Sequence, residues 1–288
     1  MKNTDDSKKI ARAYIRAEQL AKSHYENFPV LSFLIPKNLR KHVAIIYWFA
    51  RTADDIADEG NLSEEVRLQK LNEFENEFKS SLNGEGKNWE LLALTNSIKE
   101  KRLNPKFFYD LLSAFKQDVV KNRYDDFEEI LDYCSRSANP VGRLILELFD
   151  IRNEEALKYS DQICTALQLT NFLQDTGIDY LKGRIYLSRE EMKNFSVSEK
   201  MFEQSENSDN LKQLVKYDII RIKKMFDEGK KLLPFLKGRL KYEIGWTVSG
   251  GEEILEQIKK NNYNVLNFRP KLSKLRFMVL AIKSMKIN

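Results

Sequence analysis

The chain has 288 residues but only 11 Gly and 6 Pro, too few breakers for the many turns of an all-β sandwich or barrel. An apolar fraction of 42% beside 32% charged residues supports a sizeable core and excludes wholesale disorder. The net charge of +5 suits an anionic ligand but is spread along the chain without a Lys/Arg stripe, so no nucleic-acid partner is expected.

The first predicted helix covers 8–23, behind a polar N-terminus without the apolar stretch of a signal peptide. An aromatic-rich connection ending at Pro36 leads into a strongly apolar helix over 37–59 that ends at Gly60, with His42 as a boundary residue near its start. Asn61 with Glu64 resembles a capping box for a helix over 64–82, and 83–86 is the clearest loop. Asn104-Pro105 opens another helix, with Pro where its missing N–H costs nothing. Further start signals are Asp125 with Glu128, Asn139-Pro140, Asn153, and Ser188 with Glu191. A long helix over 154–182 is interrupted only by Gly177, and helices over 211–233, 237–262 and 271–286 follow. Without strand periodicity, repeat or linker, the expectation is one all-α domain over 1–288 with about ten or more helices.

Two cysteines and two histidines exclude a Cys/His zinc cluster and a disulfide framework, and a reducing cytosol is the expected location. Cys134 and Cys164 read as buried small residues in apolar helices. The longest apolar run, 43–50, is far too short to span a bilayer.

Two of the helices have inverted amphipathy. In 41–58, nearly everything is apolar up to Ala50, yet Tyr47, Arg51, Asp54 and Asp58 share one face. In 163–183, Gln168, Asn171, Asp175, Asp179 and Lys182 share a face, while Leu167, Leu169, Phe172, Leu173 and Ile178 fill much of the rest. A polar stripe on an otherwise apolar helix should face an internal cavity. Four carboxylates there are costly to desolvate unless cations sit among them. Paired acids on one face suit Mg²⁺, a hard ion that takes one or two carboxylates and keeps waters for a phosphate to replace. Arg51 and Arg184 would meet the phosphate oxygens directly.

The segments ARTADDIAD and NFLQDTGIDYLKGRIYL resemble the two aspartate-rich motifs of the squalene/phytoene synthase family, in order and separation. Within it, HYENFPV, YCSRSANPVGR and YNVLNFRPKLSK look most like the hydroxysqualene synthase branch of bacterial squalene and hopanoid biosynthesis. The resemblance implies a single-domain, isoprenoid-synthase-like helical bundle with a central cavity and Mg²⁺ as cofactor. Carried over by position, it makes Asp54, Asp58, Asp175 and Asp179 metal ligands and Arg51 and Arg184 diphosphate contacts. Gln168 and Asn171 become cavity groups, and Tyr263 and Arg269 match late positions that close the diphosphate end.

The implied substrate is presqualene diphosphate, converted to hydroxysqualene by ionisation, rearrangement and water capture. A presqualene diphosphate synthase and a downstream squalene-forming reductase are then the functional partners. Tyr47, Phe28 and Phe172 are candidate cation-facing walls, with core packing as their ordinary role. His24, Tyr25, Glu26 and Asn27 stand where condensing members carry a Ser-Phe-rich segment, and are suspects for placing the water. Ser135 stands where those members commonly have a tyrosine, and Ser188 replaces a usual proline as a helix cap. The rival readings are head-to-head condensation of farnesyl diphosphate and a non-catalytic helical adaptor. The basic, amphipathic segment 271–288 either docks on the body or rests peripherally on an anionic bilayer at the inner membrane face.

Overall fold

The computed structural model of the protein describes residues 2–23 and 35–272. His24 to Asn27, Phe28 and nearly all of the C-terminal amphipathic segment lie outside the described residues. All regular structure among the described residues is helical. Two compact units divide the chain, each assembled from separated stretches: Met1–Val120 with Pro140–Arg152, and Lys121–Asn139 with Asn153–Asn288.

The first unit contains α1 (Lys2–Ser23), α2 (Lys37–Asp58), α3 (Glu64–Leu82), α4 (Trp89–Lys101) and α5 (Lys106–Val120), with most of α7 (Asn139–Leu148). Its core turns on Phe49, Phe78 and Phe108, all fully buried, with ring centroids 5.1 to 5.6 Å apart. Such separations suit tilted and edge-on aromatic contacts. The helix starts are chemically defined, but two sit beside the expected residues. Ser63, not Asn61, caps α3 by accepting from the Val66 N–H. The helix α4, for which no start signal was read, is capped by Asn88, whose side chain accepts from Leu91 N–H at 3.0 Å.

His42 is no boundary residue. It is fully buried on α2, with Nδ1 2.8 Å from Ser97 Oγ and Nε2 3.2 Å from Glu100. Ser97 also shares a hydrogen bond with Tyr14 at 2.7 Å, so one polar chain links α1, α2 and α4. Burial pushes the imidazole pKa down, against the pull of Glu100.

The second unit contains α6 (Phe127–Ser137), α8 (Glu154–Leu181), α9 (Arg189–Asn194), α10 (Glu199–Glu203), α11 (Asp209–Gly229) and α12 (Gly238–Lys260). A 3₁₀ turn over Lys230–Phe235, containing Pro234, divides α11 from α12 where the sequence predicts helix through 233. Asp126 rather than Asp125 caps α6, through the Glu129 N–H. Asn153 caps α8 as expected, accepting from both Glu155 and Ala156 N–H groups. Ser188 likewise caps α9, so the serine that replaces proline acts in helix initiation. Cys134 is buried, and desolvation raises its pKa to about 12; Cys164 is only half-buried.

Candidate active site

Each unit holds one of the predicted acidic pairs. On α2 the residues Leu39, Val43, Ile46, Phe49, Ala53 and Ala57 are buried, which leaves Tyr47, Arg51, Asp54 and Asp58 together on a half-buried face. Arg51 reaches along its own helix to Asp54 at 3.3 Å and Asp55 at 2.6 Å, and beyond its end to Glu59 at 3.5 Å. Burial opposes its charge, but Asp54 and Asp55 outweigh that and hold its pKa above the ordinary value. Arg51 Nε finds no acceptor among the described residues. Asp55 and Glu59, which the sequence reading passed over, are therefore partners of the predicted phosphate-binding arginine.

In the second unit α8 carries Gln168, Asp175 and Asp179 half-buried, with Leu169, Phe172 and Leu173 buried. The inversion is incomplete. Asn171 and Lys182 are exposed, and so is Ile178, which was expected to be buried. The Asp175 carboxylate is gripped by Arg269, Nε to Oδ1 at 2.6 Å and a terminal nitrogen to Oδ2 at 3.0 Å. That hydrogen bonding, with added attraction from Asp179, holds the arginine's pKa above its usual value. Tyr263 lies half-buried at φ +55, where the chain leaves α12 for this contact.

Arg269 belongs to a strap, 263–272, laid across α8. Gln174, buried and outside the polar stripe, donates to Pro270 O at 2.8 Å. Gly177 donates its backbone N–H to Val265 O at 3.2 Å. A Cβ at Gly177 would stand 2.3 Å from Leu266 O, so the absence of a side chain permits this close approach.

Asp179 meets Arg184 through the helix end. Arg184 N–H donates to Asp179 O at 2.8 Å and Gly183 N–H to Tyr180 O at 2.9 Å, with Gly183 at φ +80. This is the double hydrogen bond of a Schellman termination, which needs a left-handed residue at the glycine. The Gly-Arg of the second motif therefore turns the chain back beside its last aspartate. The following segment is held by Ile185 N–H to Asn122 O at 3.1 Å and Arg189 N–H to Tyr124 O at 2.9 Å. Tyr186 stacks on Phe172 at 3.8 Å, and Tyr124 and Tyr133 extend the aromatic cluster. Ser135 is exposed on α6, donating to Asp132 O at 2.6 Å.

Asp179 and Arg184 line a cavity of about 20 Å³ together with Thr176, Tyr186, Asp218 and Arg221. That volume holds about one water. Sequence reading missed its far wall. Arg221 stands over the Phe127 ring at 3.3 Å, 2.5 Å from Asp218, and is paired with Glu191. Asp218 is fully desolvated, which pushes its pKa up to about 7 despite Arg221. Its position on the buried stripe Leu211, Leu214, Val215, Asp218 and Ile222 was the available signal.

The acids are hard oxygen donors in pairs at i, i+4, and the second pair already holds an external cation in Arg269. That chemistry fits a divalent ion shared with a phosphate better than a closed protein cage. No group of three or more His, Cys, Asp or Glu is placed to hold a metal by itself among the described residues.

This helical scaffold, with two Asp-Arg constellations on helices, is that of an isoprenoid synthase. The family model for squalene/phytoene synthase matches residues 21–276. The chain belongs to the squalene/phytoene synthase family, whose members act on prenyl diphosphates. It is 32% identical over 265 residues, 90% of this chain and 88% of the relative, to a hydroxysqualene synthase from Sinorhizobium fredii. A 15-cis-phytoene synthase from Synechocystis is 27% identical over 94% of this chain and 85% of that protein. The crystal structure of squalene synthase HpnC from Alicyclobacillus acidocaldarius superposes with a TM-score of 0.83 at 33% identity, covering 88% of this chain and 96% of that one. An enzyme family leaves the helical-adaptor reading without support. No described helix is long and apolar enough to cross a membrane.

Proposed function

We propose that this protein converts presqualene diphosphate to hydroxysqualene. The observation that carries the reading is the second motif, where Arg269 grips Asp175 and a Schellman turn ties Arg184 to Asp179. Such an array binds a diphosphate through guanidinium forks while its carboxylates hold cations. Asp54, Asp58, Asp175 and Asp179 would hold Mg²⁺, which when bound supplies neutralisation of the leaving diphosphate.

Arg51 and Arg184 bind the diphosphate oxygens, and Tyr263 and Arg269 close that end of the site. Gln168 and Asn171 orient the polar end of the substrate beside the second pair. The C–O bond breaks with its electron pair leaving on diphosphate. The cyclopropylcarbinyl cation rearranges against apolar walls that include Tyr47 and Phe172. Water then adds to the cation and loses a proton, so atoms balance without any reductant. The hydroxysqualene synthase relative and the exposed Ser135, in place of a tyrosine, favour this reaction over condensation of two farnesyl diphosphates.

Incubating purified protein with Mg²⁺ and presqualene diphosphate, without reductant, should release hydroxysqualene and pyrophosphate. Turnover of farnesyl diphosphate alone, with no alcohol from presqualene diphosphate, would establish the condensing activity instead. Peripheral docking of 271–288 on anionic lipid belongs to the same proposal and is read by liposome flotation of the full chain against a chain ending at Pro270.

A further inference from the structure

The Asp175 carboxylate faces one guanidinium with both oxygens. Both of its oxygens accept from Arg269, at 2.6 and 3.0 Å, in the two-pronged geometry that makes arginine–carboxylate pairs strong. Each oxygen keeps a second lone pair, but a divalent ion that takes it meets the guanidinium charge close by and is repelled. The guanidinium cannot relieve the conflict by losing its proton, because it stays charged at every relevant pH. A divalent ion arriving alone would therefore bind against a neighbouring cation that has no anion to move to.

The strap backbone is fixed without help from the Arg269 side chain. Gly177 holds Val265, Gln174 holds Pro270, Gln257 Nε2 donates to Lys271 O at 3.3 Å, and Asn267 Nδ2 donates to Ser205 O at 2.9 Å. The Arg269 side chain is 43% exposed. It can leave Asp175 by changing rotamer while the strap stays docked. A diphosphate is the one ligand of the proposed reaction that offers the freed guanidinium an anion of matching fork geometry. The first unit repeats the arrangement with local parts, since Arg51 rests on Asp54 and Asp55.

We infer that Arg269 holds Asp175 in place of a metal ion until diphosphate arrives, and then transfers to the phosphate, so that cation and diphosphate bind cooperatively. The inference rests on the reading of Asp175 as a metal ligand. Arg269 acts here as a gate on metal loading, in addition to any contact it makes with substrate. By linkage, whatever factor diphosphate adds to cation affinity the cation adds to diphosphate affinity.

The test measures Mn²⁺ binding to the full-length protein by the electron paramagnetic resonance signal of free Mn²⁺. It is run without phosphate and then with inorganic pyrophosphate, corrected for the Mn²⁺–pyrophosphate complex. Arg269→Gln should bind Mn²⁺ roughly two- to fivefold more tightly than wild type without pyrophosphate, the size expected for a partly exposed paired charge. Its gain on adding pyrophosphate should shrink. Arg269→Lys, which keeps a cation but loses the fork, should fall between them and carries the test if the glutamine variant does not fold. On an Asp175→Asn background the Arg269→Gln gain should vanish. Equal or weaker Mn²⁺ binding by folded Arg269→Gln, with normal wild-type binding in pyrophosphate, overturns the gate alone. Failure of wild type to bind Mn²⁺ even with pyrophosphate overturns the metal reading and the gate with it.

Discussion

The two acidic pairs have the same residues at the same spacing, yet their arginines come from different distances. Asp54 is met by Arg51 from one turn earlier on α2, whereas Asp175 is met by Arg269, 94 residues away. The first pairing is a property of one helix and forms wherever that helix forms. The second exists only after the strap has docked on α8, so it reports tertiary structure. One half of the proposed site is thus built locally and the other is assembled.

Replacing one acid in each half tests that difference with the largest expected effect. Asp54→Asn and Asp175→Asn should each lower turnover of the prenyl diphosphate by about a hundredfold or more, as expected when an electrostatic contributor to ionisation is lost. Their stabilities should diverge. Arg51 keeps Asp55 and Glu59, so Asp54→Asn should leave Tm within about 2 °C of wild type. Asp175→Asn leaves Arg269 one amide oxygen in place of a forked charge pair and should lower Tm by more than Asp54→Asn does, while the strap stays docked on its own backbone bonds. Equal Tm shifts in the two variants would remove the distinction between a local and an assembled half.

A smaller effect should come from the strap contact itself. In Gly177→Ala the new Cβ faces Leu266 O at 2.3 Å, a backbone atom that cannot rotate away. The strap must shift, at a cost of about 1–3 kcal/mol for an overpacked contact. Denaturant unfolding should show that loss, together with faster cleavage in the strap. A variant with wild-type stability and cleavage pattern would mean that the approach of Val265 to α8 is not held by Gly177.

This contrast also explains what the sequence could reveal. Helical class followed from breakers and periodicity, and the acidic pairs were legible because i, i+4 spacing makes a helix face. The serine at 188 could be read as a cap because capping is decided within one turn. Arg269 could be matched by resemblance, but nothing local says that it lands on Asp175. Gly177 looked like an interruption in a helix, and only the strap gives it a purpose. The one-residue shift from Asp125 to Asp126 at α6 reflects two adjacent acids with equal capping chemistry. His42 was misplaced because its partners Ser97 and Glu100 lie on another helix.

The smallest predicted effect concerns Asp218, behind the second half of the site. Its folded pKa of about 7 lies above the usual value of 3.8, mainly because it is desolvated, with Glu191 adding repulsion and Arg221 opposing both. Between these values the folded chain holds a proton that the unfolded chain has released, so stability falls as pH rises from about 4 to about 7. Above that range both states are ionised and the slope from this group ends. Asp218→Asn cannot ionise and should flatten that part of the stability–pH curve, read by denaturant midpoints at intervals across it. Arg221 keeps Glu191 in the variant, so the pocket is not left with an unpaired guanidinium. An unchanged slope would mean that Arg221 holds Asp218 ionised throughout. The buried cluster would then be a permanent ion network, and pH would act on the assembled half of the site only through other groups.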